Sequence, residues 1–318
     1  MINSGLKIIF VFIAFIAMAS CGRVTNTGSE SELKGDLIIF HAGSLSVPFR
    51  ALADSFRKIH PEVKILPESA GSLASIRKIT DLNRPCDIMA SADYILIDKL
   101  MIPEFASWNL LFAGNEMAIV YHPGSRMSDS INENNWFRIL QNPEIRFGRS
   151  DPNSDPCGYR AILTMQLTEK VYNIPGLTDD LMKKDHKYIR PKETDLLALL
   201  ETGTLDYIFL YKSVAIQHKL PYLSLPDSIN LSFPGLQDFY KTVSVDVAGN
   251  KPGDKITQFG EAMVYGMTIP NNSENTENAK AFIKFIIEKG LPIIEAMGQK
   301  HIEPEFSPKS TSTPEFMN

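Results

Sequence analysis

The sequence predicts an α/β fold of two lobes, each a mixed, mainly parallel sheet flanked by helices. Short apolar runs alternate with helical patterns along the chain, which is the order expected of strands covered by helices. The chain beyond residue 20 is also close to the length, about 250–300 residues, at which a single core stops growing. Polar strand-to-helix junctions recur in both halves. A ligand cleft between the two lobes is therefore expected.

The elements of the first half follow from apolar runs and turn residues. Strands are predicted at 37–40, 63–66, 87–91 and 117–121, with helices at about 46–60, 72–82 and from 93 onward. Ser46 is expected to cap the first helix, and Pro48 stands in its first turn, where a missing N–H is harmless.

The second half repeats this alternation. Strands are predicted at 145–148, 188–190, 207–211 and 261–269, and helices at 158–171, 194–200, after 213 and at 276–289. Residues 221–255 are rich in Pro, Gly, Ser and Asp and are expected to be irregular. The polar residues 306–318 are expected to form a flexible tail.

The N-terminus predicts export. An apolar run at 8–18 follows Lys7 and is too short for the roughly 20 residues that cross a bilayer, but it suits a signal peptide. Small residues before Cys21 predict a lipoprotein signal peptide at 1–20 and a lipidated Cys21; a plain signal peptide with an incidental cysteine is the alternative. Residues 21–35 have the composition of a flexible tether. The protein is therefore expected at the cell surface or in the periplasm, anchored to a membrane.

Composition restricts the possible functions. A net charge of −5 and a pI near 5.7 argue against nucleic acid, which requires a basic face. No Cys/His cluster has zinc spacing, and no phosphate-binding loop, G-x-S-x-G or H-E-x-x-H motif occurs. Cys86 and Cys157 follow Cys21, and their spacing does not decide whether they pair.

The stretch 150–160 is the most informative segment. Asp151, Asp155 and Gly158 stand at a strand-to-helix junction, where unpaired N–H groups attract anions. A carboxylate in such a place repels an ordinary phosphate, whereas an oxyanion with an electron-poor metal at its centre can use both donors and carboxylate. Asp151 is interpreted as the start of an Asx-turn.

Four such junctions occur in the sequence. They are Gly43-Ser44, Gly71-Ser72, Cys157-Gly158 and Glu193-Thr194. Ligands of open α/β sheets collect at the carboxyl ends of strands, and each helix N-terminus carries roughly half a positive charge. The junctions therefore predict an anion site that needs neither Lys nor Arg.

Six segments together resemble the molybdate- and tungstate-binding proteins of ABC importers, especially the tungstate-type branch found in archaea. These segments are 41–46 (HAGSLS), 69–75 (SAGSLAS), 91–93 (SAD), 148–160 (GRSDPNSDPCGYR), 190–193 (RPKE) and 211–215 (YKSVA). The resemblance covers about residues 36–303. It implies a class II periplasmic-binding-protein fold, with the ligand in the cleft between the lobes, and a lipoprotein that delivers tungstate or molybdate to ABC permease and ATPase subunits.

The resemblance also implies a set of ligand-binding residues. Hydrogen bonds are expected from Ser44 and Ser72 in the first lobe, and from the Cys157 N–H and the Tyr211 hydroxyl in the second. Asp155 and Glu193 are expected to bind the metal centre of the oxyanion and make it six-coordinate. Glu201 is a competing acid. The resemblance implies no cofactor and a monomer. Lobe one is expected at 36–118 plus 262–305, and lobe two at 119–261, with hinges near 116–122 and 255–268.

Two alternatives remain open at this stage. The protein could bind another small anion, sulfate or phosphate, or ferric iron. Cys157, at a helix N-terminus where thiol pKa values fall, could instead serve an enzyme as a nucleophile, although no motif supplies its base. No enzymatic function is expected. Arg149 and Arg160 could tune the pocket or brace carboxylates, and neither is assigned to the site.

Overall fold

The computed structural model describes residues 33–249, 253–308 and 314–317. The predicted signal peptide and Cys21 lie outside these residues. None of the described helices is both long and apolar enough to cross a membrane.

Thirteen strands and twelve α-helices are found among the described residues. The strands are β1 (Gly35–Ala42), β2 (Val63–Ala70), β3 (Ile88–Ser91), β4 (Asn109–Gly114), β5 (Met117–Tyr121), β6 (Phe147–Ser150), β7 (Ile189–Arg190), β8 (Tyr207–Tyr211), β9 (Tyr222–Ser224), β10 (Ser244–Ala248), β11 (Lys255–Phe259), β12 (Val264–Thr268) and β13 (Glu305–Ser307). The helices are α1 (Ser46–Arg57), α2 (Ser72–Thr80), α3 (Tyr94–Leu100), α4 (Trp136–Gln141), α5 (Pro156–Val171), α6 (Leu177–Asp185), α7 (Leu196–Glu201), α8 (Lys212–Gln217), α9 (Asp227–Asn230), α10 (Gln237–Tyr240), α11 (Thr276–Phe285) and α12 (Leu291–Ala296).

The strands form two main sheets, which define the two lobes. The first sheet has the order β13-β4-β12-β3-β1-β2 and the second has the order β7-β6-β8-β5-β9. β1 pairs in parallel with β2 and β3, and β6 pairs in parallel with β7 and β8. The other described pairings are antiparallel. β5 and β12, next to the crossovers, run against their neighbours, and so do β13 beside β4 and β10 beside β11. The sheets are thus mixed as predicted, but parallel pairs do not predominate.

The chain crosses between the sheets twice. It leaves β4 at Gly114 and enters β5 at Met117, so the predicted lobe boundary at 118 falls inside a strand of the second sheet. It returns through β10 and β11, which pair only with each other as a two-stranded ribbon, and then through β12. The sequence predicts an irregular segment at 221–255, but β10 lies within it and β11 begins at its last residue. The turn-rich composition hides these strands, because each has only one buried position.

Helix α1 illustrates how the sequence covers a sheet. Phe49, Leu52 and Phe56 recur at helical spacing and are buried. The Phe56 ring packs edge-on against Phe282 and Phe285 of α11, with ring centroids 5.1 and 5.5 Å apart. Burying aromatic rings at such contacts contributes roughly 0.5–1.5 kcal/mol per pair beyond the area buried. The two helices therefore share one apolar layer on the first sheet.

Two local expectations are wrong. Ser46 does not cap α1: its hydroxyl bonds to the Ser69 hydroxyl, 3.0 Å away, and a 3-10 turn at Gly43–Leu45 precedes the helix. The predicted tail begins inside β13, because Phe306 packs against Trp108 with ring centroids 5.8 Å apart and β13 pairs with β4.

The buried His41 at the end of β1 predicts a pH dependence of stability. Its Nδ1 donates to the Ala42 carbonyl over 2.8 Å, and burial lowers its pKa from 6.5 to about 4. The folded state therefore binds fewer protons than the unfolded chain between those values, and stability falls as the pH falls through them. Between about pH 7.5 and about pH 5 we expect His41 to remove about 2 kcal/mol from the free energy of unfolding.

Urea unfolding of His41→Gln at both pH values measures this effect. The variant should lose less stability than the wild type on acidification, whatever its absolute stability. The exposed His218 offers a control, and His218→Gln should retain the wild-type pH dependence. Equal acid sensitivity of wild type and His41→Gln would refute the assignment.

Candidate functional site

Asp155 holds together two segments of the second lobe. It is 1% exposed and caps α5: its Oδ1 accepts from the Cys157 N–H over 3.0 Å. Its Oδ2 accepts from the Glu193 N–H over 2.7 Å, so one carboxylate joins the starts of two helical segments. Each carboxylate oxygen can accept more than one hydrogen bond. Asp155 is therefore fixed in place and retains electron pairs for another partner.

Glu193 is a buried carboxylate without a hydrogen-bond partner. It is 1% exposed, and neither Oε1 nor Oε2 has a partner among the described residues. It faces Gly43 of the first lobe, where a Cβ would lie 2.9 Å from both oxygens. Burial, and then the neighbouring charge of Asp155, raises the pKa of Glu193 well above its usual value. A buried charge without a partner is costly, so this position suits a group that binds something else.

Ser72 begins α2 in the first lobe. It is fully buried, and its Oγ accepts from the Ala92 N–H over 2.9 Å. Since a hydroxyl has one proton, that proton remains to be donated elsewhere. Gly71, just before it, touches the second lobe: a Cβ there would lie 2.2 Å from the Ser154 carbonyl oxygen and 3.1 Å from Asp155 Cβ.

Ser44 is held by a buried network of side chains. Its Oγ accepts from the Tyr265 hydroxyl over 3.0 Å, and its carbonyl accepts from Gln299 Nε2 over 3.3 Å. Asn115 Nδ2, at the first crossover, donates to the Tyr265 hydroxyl over 2.6 Å and to Ser213 Oγ over 2.8 Å. The proton of the Ser44 hydroxyl is again left to donate.

Tyr211 completes the arrangement at the end of β8. Its hydroxyl accepts from Arg160 Nη1 over 3.0 Å, and its ring centroid lies 6.4 Å from that of Tyr265. Burial raises the pKa of Tyr211 well above its usual value, so the hydroxyl keeps its proton. Ser44 and Ser72 of one lobe thus meet Asp155, Glu193 and Tyr211 of the other.

The Cys157 N–H lies at the start of α5, beside Asp155. This N–H, expected to bind the ligand, donates to Asp155, and the next N–H, of Gly158, donates to the Asp155 carbonyl over 3.0 Å. The start of α5 is therefore already occupied by its own cap. Burial raises the pKa of the Cys157 thiol well above its usual value, and its Sγ lies 3.8 Å from the Phe209 carbonyl oxygen, so the nucleophile hypothesis is wrong. Cys86 and Cys157 are both free and buried.

Sequence reasoning missed several residues at this site. Arg160 is buried at 4% exposure beside Tyr211, so the idea of an anion site without Lys or Arg is incomplete. Arg160 stands three residues after Cys157 in the same sequence motif, and this spacing could have indicated that it lies at the site. Ser150, the last residue of β6, has a buried hydroxyl without a partner among the described residues. Arg149 is elsewhere engaged, with its Nε 2.7 Å from Asp185 Oδ2.

Comparisons with known proteins bear on this arrangement. The family model of bacterial extracellular solute-binding proteins matches residues 37–300. The chain belongs to this family. Its members bind and carry solutes, so the protein is a solute-binding protein rather than an enzyme, and the family is an exported one.

Individual relatives extend this comparison. An uncharacterized solute-binding protein of Petrotoga mobilis is 50% identical over 86% of each chain. The molybdate/tungstate-binding protein WtpA of Pyrococcus abyssi is 39% identical over 94% of each chain, and WtpA of Thermococcus kodakarensis is 36% identical over 94% of this chain and 92% of its own.

A solved structure supports the architecture. The periplasmic molybdate-binding protein of Azotobacter vinelandii aligns with a TM-score of 0.62 at 17% identity, over 84% of this chain and all of its own. The predicted α/β fold of two lobes is therefore confirmed for this solute-binding protein.

Proposed function

We propose that this solute-binding protein captures tungstate or molybdate between its lobes. Ser44 and Ser72 donate hydroxyl protons from the first lobe, and the Tyr211 hydroxyl donates from the second. Asp155 and Glu193 each give a carboxylate oxygen to the metal centre, which becomes six-coordinate. The relatives named molybdate/tungstate-binding protein support the choice of ligand.

The observation that carries this proposal is the pair of buried carboxylates among hydroxyl donors. Glu193 has no hydrogen-bond partner for either oxygen among the described residues, and Asp155 is joined to its N–H. Hard, highly charged metal centres accept oxygen ligands, and tungsten(VI) and molybdenum(VI) can expand their coordination. An oxyanion of these metals therefore uses both kinds of group.

The same carboxylates exclude other anions. Sulfate and phosphate have no vacant coordination position for a carboxylate oxygen, so an ionised carboxylate beside such an anion repels it without forming a bond to its central atom. At 4 Å and an effective dielectric constant near 20 that repulsion is about 4 kcal/mol for unit charges. The site therefore selects its ligand partly by what it rejects.

Delivery and anchoring complete the proposal. Residues 1–20 act as a lipoprotein signal peptide, Cys21 carries the lipid, and residues 21–35 tether the binding lobes to the membrane. Lobe one, expected at 36–118 plus 262–305, ends between β4 and β5, and lobe two, expected at 119–261, begins with β5. The tether keeps a monomer close to its ABC permease and ATPase subunits, which raises the effective concentration of the loaded protein.

Thermal unfolding with added anions tests the proposal. A ligand at 100 times its dissociation constant adds about 2.7 kcal/mol to the free energy of unfolding. Tungstate and molybdate should raise the melting temperature, whereas sulfate, phosphate and ferric citrate should leave it unchanged. Stabilisation by sulfate or phosphate equal to that by tungstate would contradict the proposal, and so would the absence of any effect of tungstate and molybdate.

A further inference from the structure

A buried guanidinium joins the two lobes beside Tyr211. Arg160 lies on α5 of the second lobe, and its Nη1 donates to the Ala92 carbonyl of the first lobe over 2.6 Å. Its Nη2 lies 3.3 Å from Asp93 Oδ2, also in the first lobe. The same Nη1 donates to the Tyr211 hydroxyl in its own lobe over 3.0 Å. One side chain thus contacts both lobes and a residue of the candidate site.

Asp93 gathers several contacts around this guanidinium. Its Oδ2 accepts from the Tyr159 hydroxyl over 2.5 Å, and its Oδ1 caps α3 by accepting from the Ile95 N–H over 3.0 Å. Asp93 is 5% exposed and Arg160 is 4% exposed. A buried ion pair is favourable only when its hydrogen bonds are satisfied, and here those bonds cross from one lobe to the other. The contacts of Arg160 and Tyr159 with Asp93 therefore require the lobes to be together.

The backbone of Ala92 connects the ion pair of Arg160 and Asp93 to Ser72. Its N–H donates to Ser72 Oγ over 2.9 Å, and its carbonyl accepts from Arg160. The Ser72 hydroxyl accepts one hydrogen bond from the Ala92 N–H, and the Tyr211 hydroxyl accepts one from Arg160. Since each hydroxyl has a single proton, both are left as donors. The backbone N–H and carbonyl of one residue, Ala92, thus contact the two groups that fix a donor on each side of the interface.

We propose that Arg160 is a positioning residue that holds the Tyr211 hydroxyl as a hydrogen-bond donor to the bound oxyanion, and that Asp93 of the opposite lobe sets Arg160 in place when the lobes close. The inference rests on the proposed function and deepens it. Part of the tungstate affinity of the closed site is then due to Arg160, which does not touch the ligand and acts on it through Tyr211.

A double-mutant cycle of Arg160→Lys and Tyr211→Phe tests this inference by calorimetric titration of tungstate. Lysine keeps the charge but lacks the planar fork that reaches Ala92, Asp93 and Tyr211 together. Arg160→Lys should lower tungstate affinity about tenfold in the wild type and less than about twofold in the Tyr211→Phe background, because both changes remove one contact. Equal effects of Arg160→Lys in the two backgrounds would overturn the inference.

Arg149→Lys is the matched control. Arg149 is also buried in the second lobe and paired with a carboxylate, Asp185. Its Nη1 donates to the Ser150 carbonyl, but among the described residues its guanidinium makes no hydrogen bond to any of the five proposed ligand-binding side chains. It should lower stability without changing tungstate affinity. A loss of affinity in Arg149→Lys equal to that in Arg160→Lys would show that general weakening of the lobe explains both, and would overturn the inference.

Asp93→Asn is the second variant, and it serves if Arg160→Lys does not fold. Asparagine is as good a helix cap as aspartate, so α3 should remain intact. Stopped-flow measurements should show tungstate dissociating about tenfold faster, with little change in association, because the contacts form after closure. An unchanged dissociation rate would overturn the inference. Failure of the wild type to bind tungstate would instead refute the proposed function, so the two failures are distinguishable.

Discussion

Replacing Gly71 by alanine is expected to lower tungstate affinity about 100-fold while the unligated protein remains folded. A Cβ at this position would lie 2.2 Å from the Ser154 carbonyl oxygen and 2.8 Å from its carbon, both in the backbone of the opposite lobe. Overpacking of this kind costs about 1–3 kcal/mol, and about 2.8 kcal/mol corresponds to 100-fold in affinity.

The folded lobes themselves should tolerate the change. Gly71 has φ −61° and ψ 145°, which alanine adopts without strain, and the three atoms nearest to the added Cβ all belong to the other lobe. Tungstate titration by calorimetry, together with circular dichroism of the unligated variant, measures both parts. Gly124→Ala is the control, because Gly124 is exposed and a Cβ there would meet only the His122 ring at 3.4 Å. Tight tungstate binding by Gly71→Ala would show that ligand binding does not require this approach of the lobes.

Glu193→Gln should separate ligand binding from stability. It removes a proposed oxygen ligand of the metal centre, and we expect tungstate affinity to fall about 100-fold, the size of effect seen when a charged contact of about 3 kcal/mol is lost. Sulfate should bind better relative to tungstate, since one repelling charge is gone.

The unligated variant should be at least as stable as the wild type. The wild-type carboxyl is buried beside Asp155, and neither of its oxygens has a partner among the described residues, so glutamine gives up no hydrogen bond there. Because burial raises the pKa of Glu193, the wild type loses stability as the pH rises from the ordinary carboxyl range, and the advantage of the variant should grow in that direction.

Two measurements on Glu193→Gln and one control decide this prediction. Calorimetry gives the affinities for tungstate and sulfate, and urea unfolding at two pH values gives the stability. Glu201→Gln, on an exposed position of α7, should change neither. If Glu193→Gln binds tungstate as tightly as the wild type, the carboxylate is not a ligand.

The sequence predicts those elements whose signal is local. The strands at 117–121 and 207–211 have the predicted bounds, because both are runs of apolar or aromatic residues that become fully or almost fully buried. The ribbon of β10 and β11 could not be predicted in this way, since only one position of each strand is buried and the two strands pair with each other rather than with a main sheet.

In the candidate site, too, local features have a signal in the sequence and long-range contacts do not. Asp155 is expected as a ligand of the metal centre, and the structure shows that it also caps α5; the Asp-Pro pair before a helical pattern is a local signal for such a cap. The contact of Arg160 with Asp93 joins residues 67 positions apart in different lobes, and only the folded chain brings them together. The N–H of Cys157 donates to the Asp155 carboxylate, and no pattern of residue types in the sequence predicts this hydrogen bond.

Tungsten L3-edge X-ray absorption of the protein saturated with tungstate tests the central claim most directly, because it reports how many oxygen atoms surround the metal. Two carboxylates that enter the metal's own shell predict six oxygens in the wild type and fewer in Glu193→Gln. Four equivalent oxygens in both proteins would contradict the account, since the anion would then be held by hydrogen bonds alone.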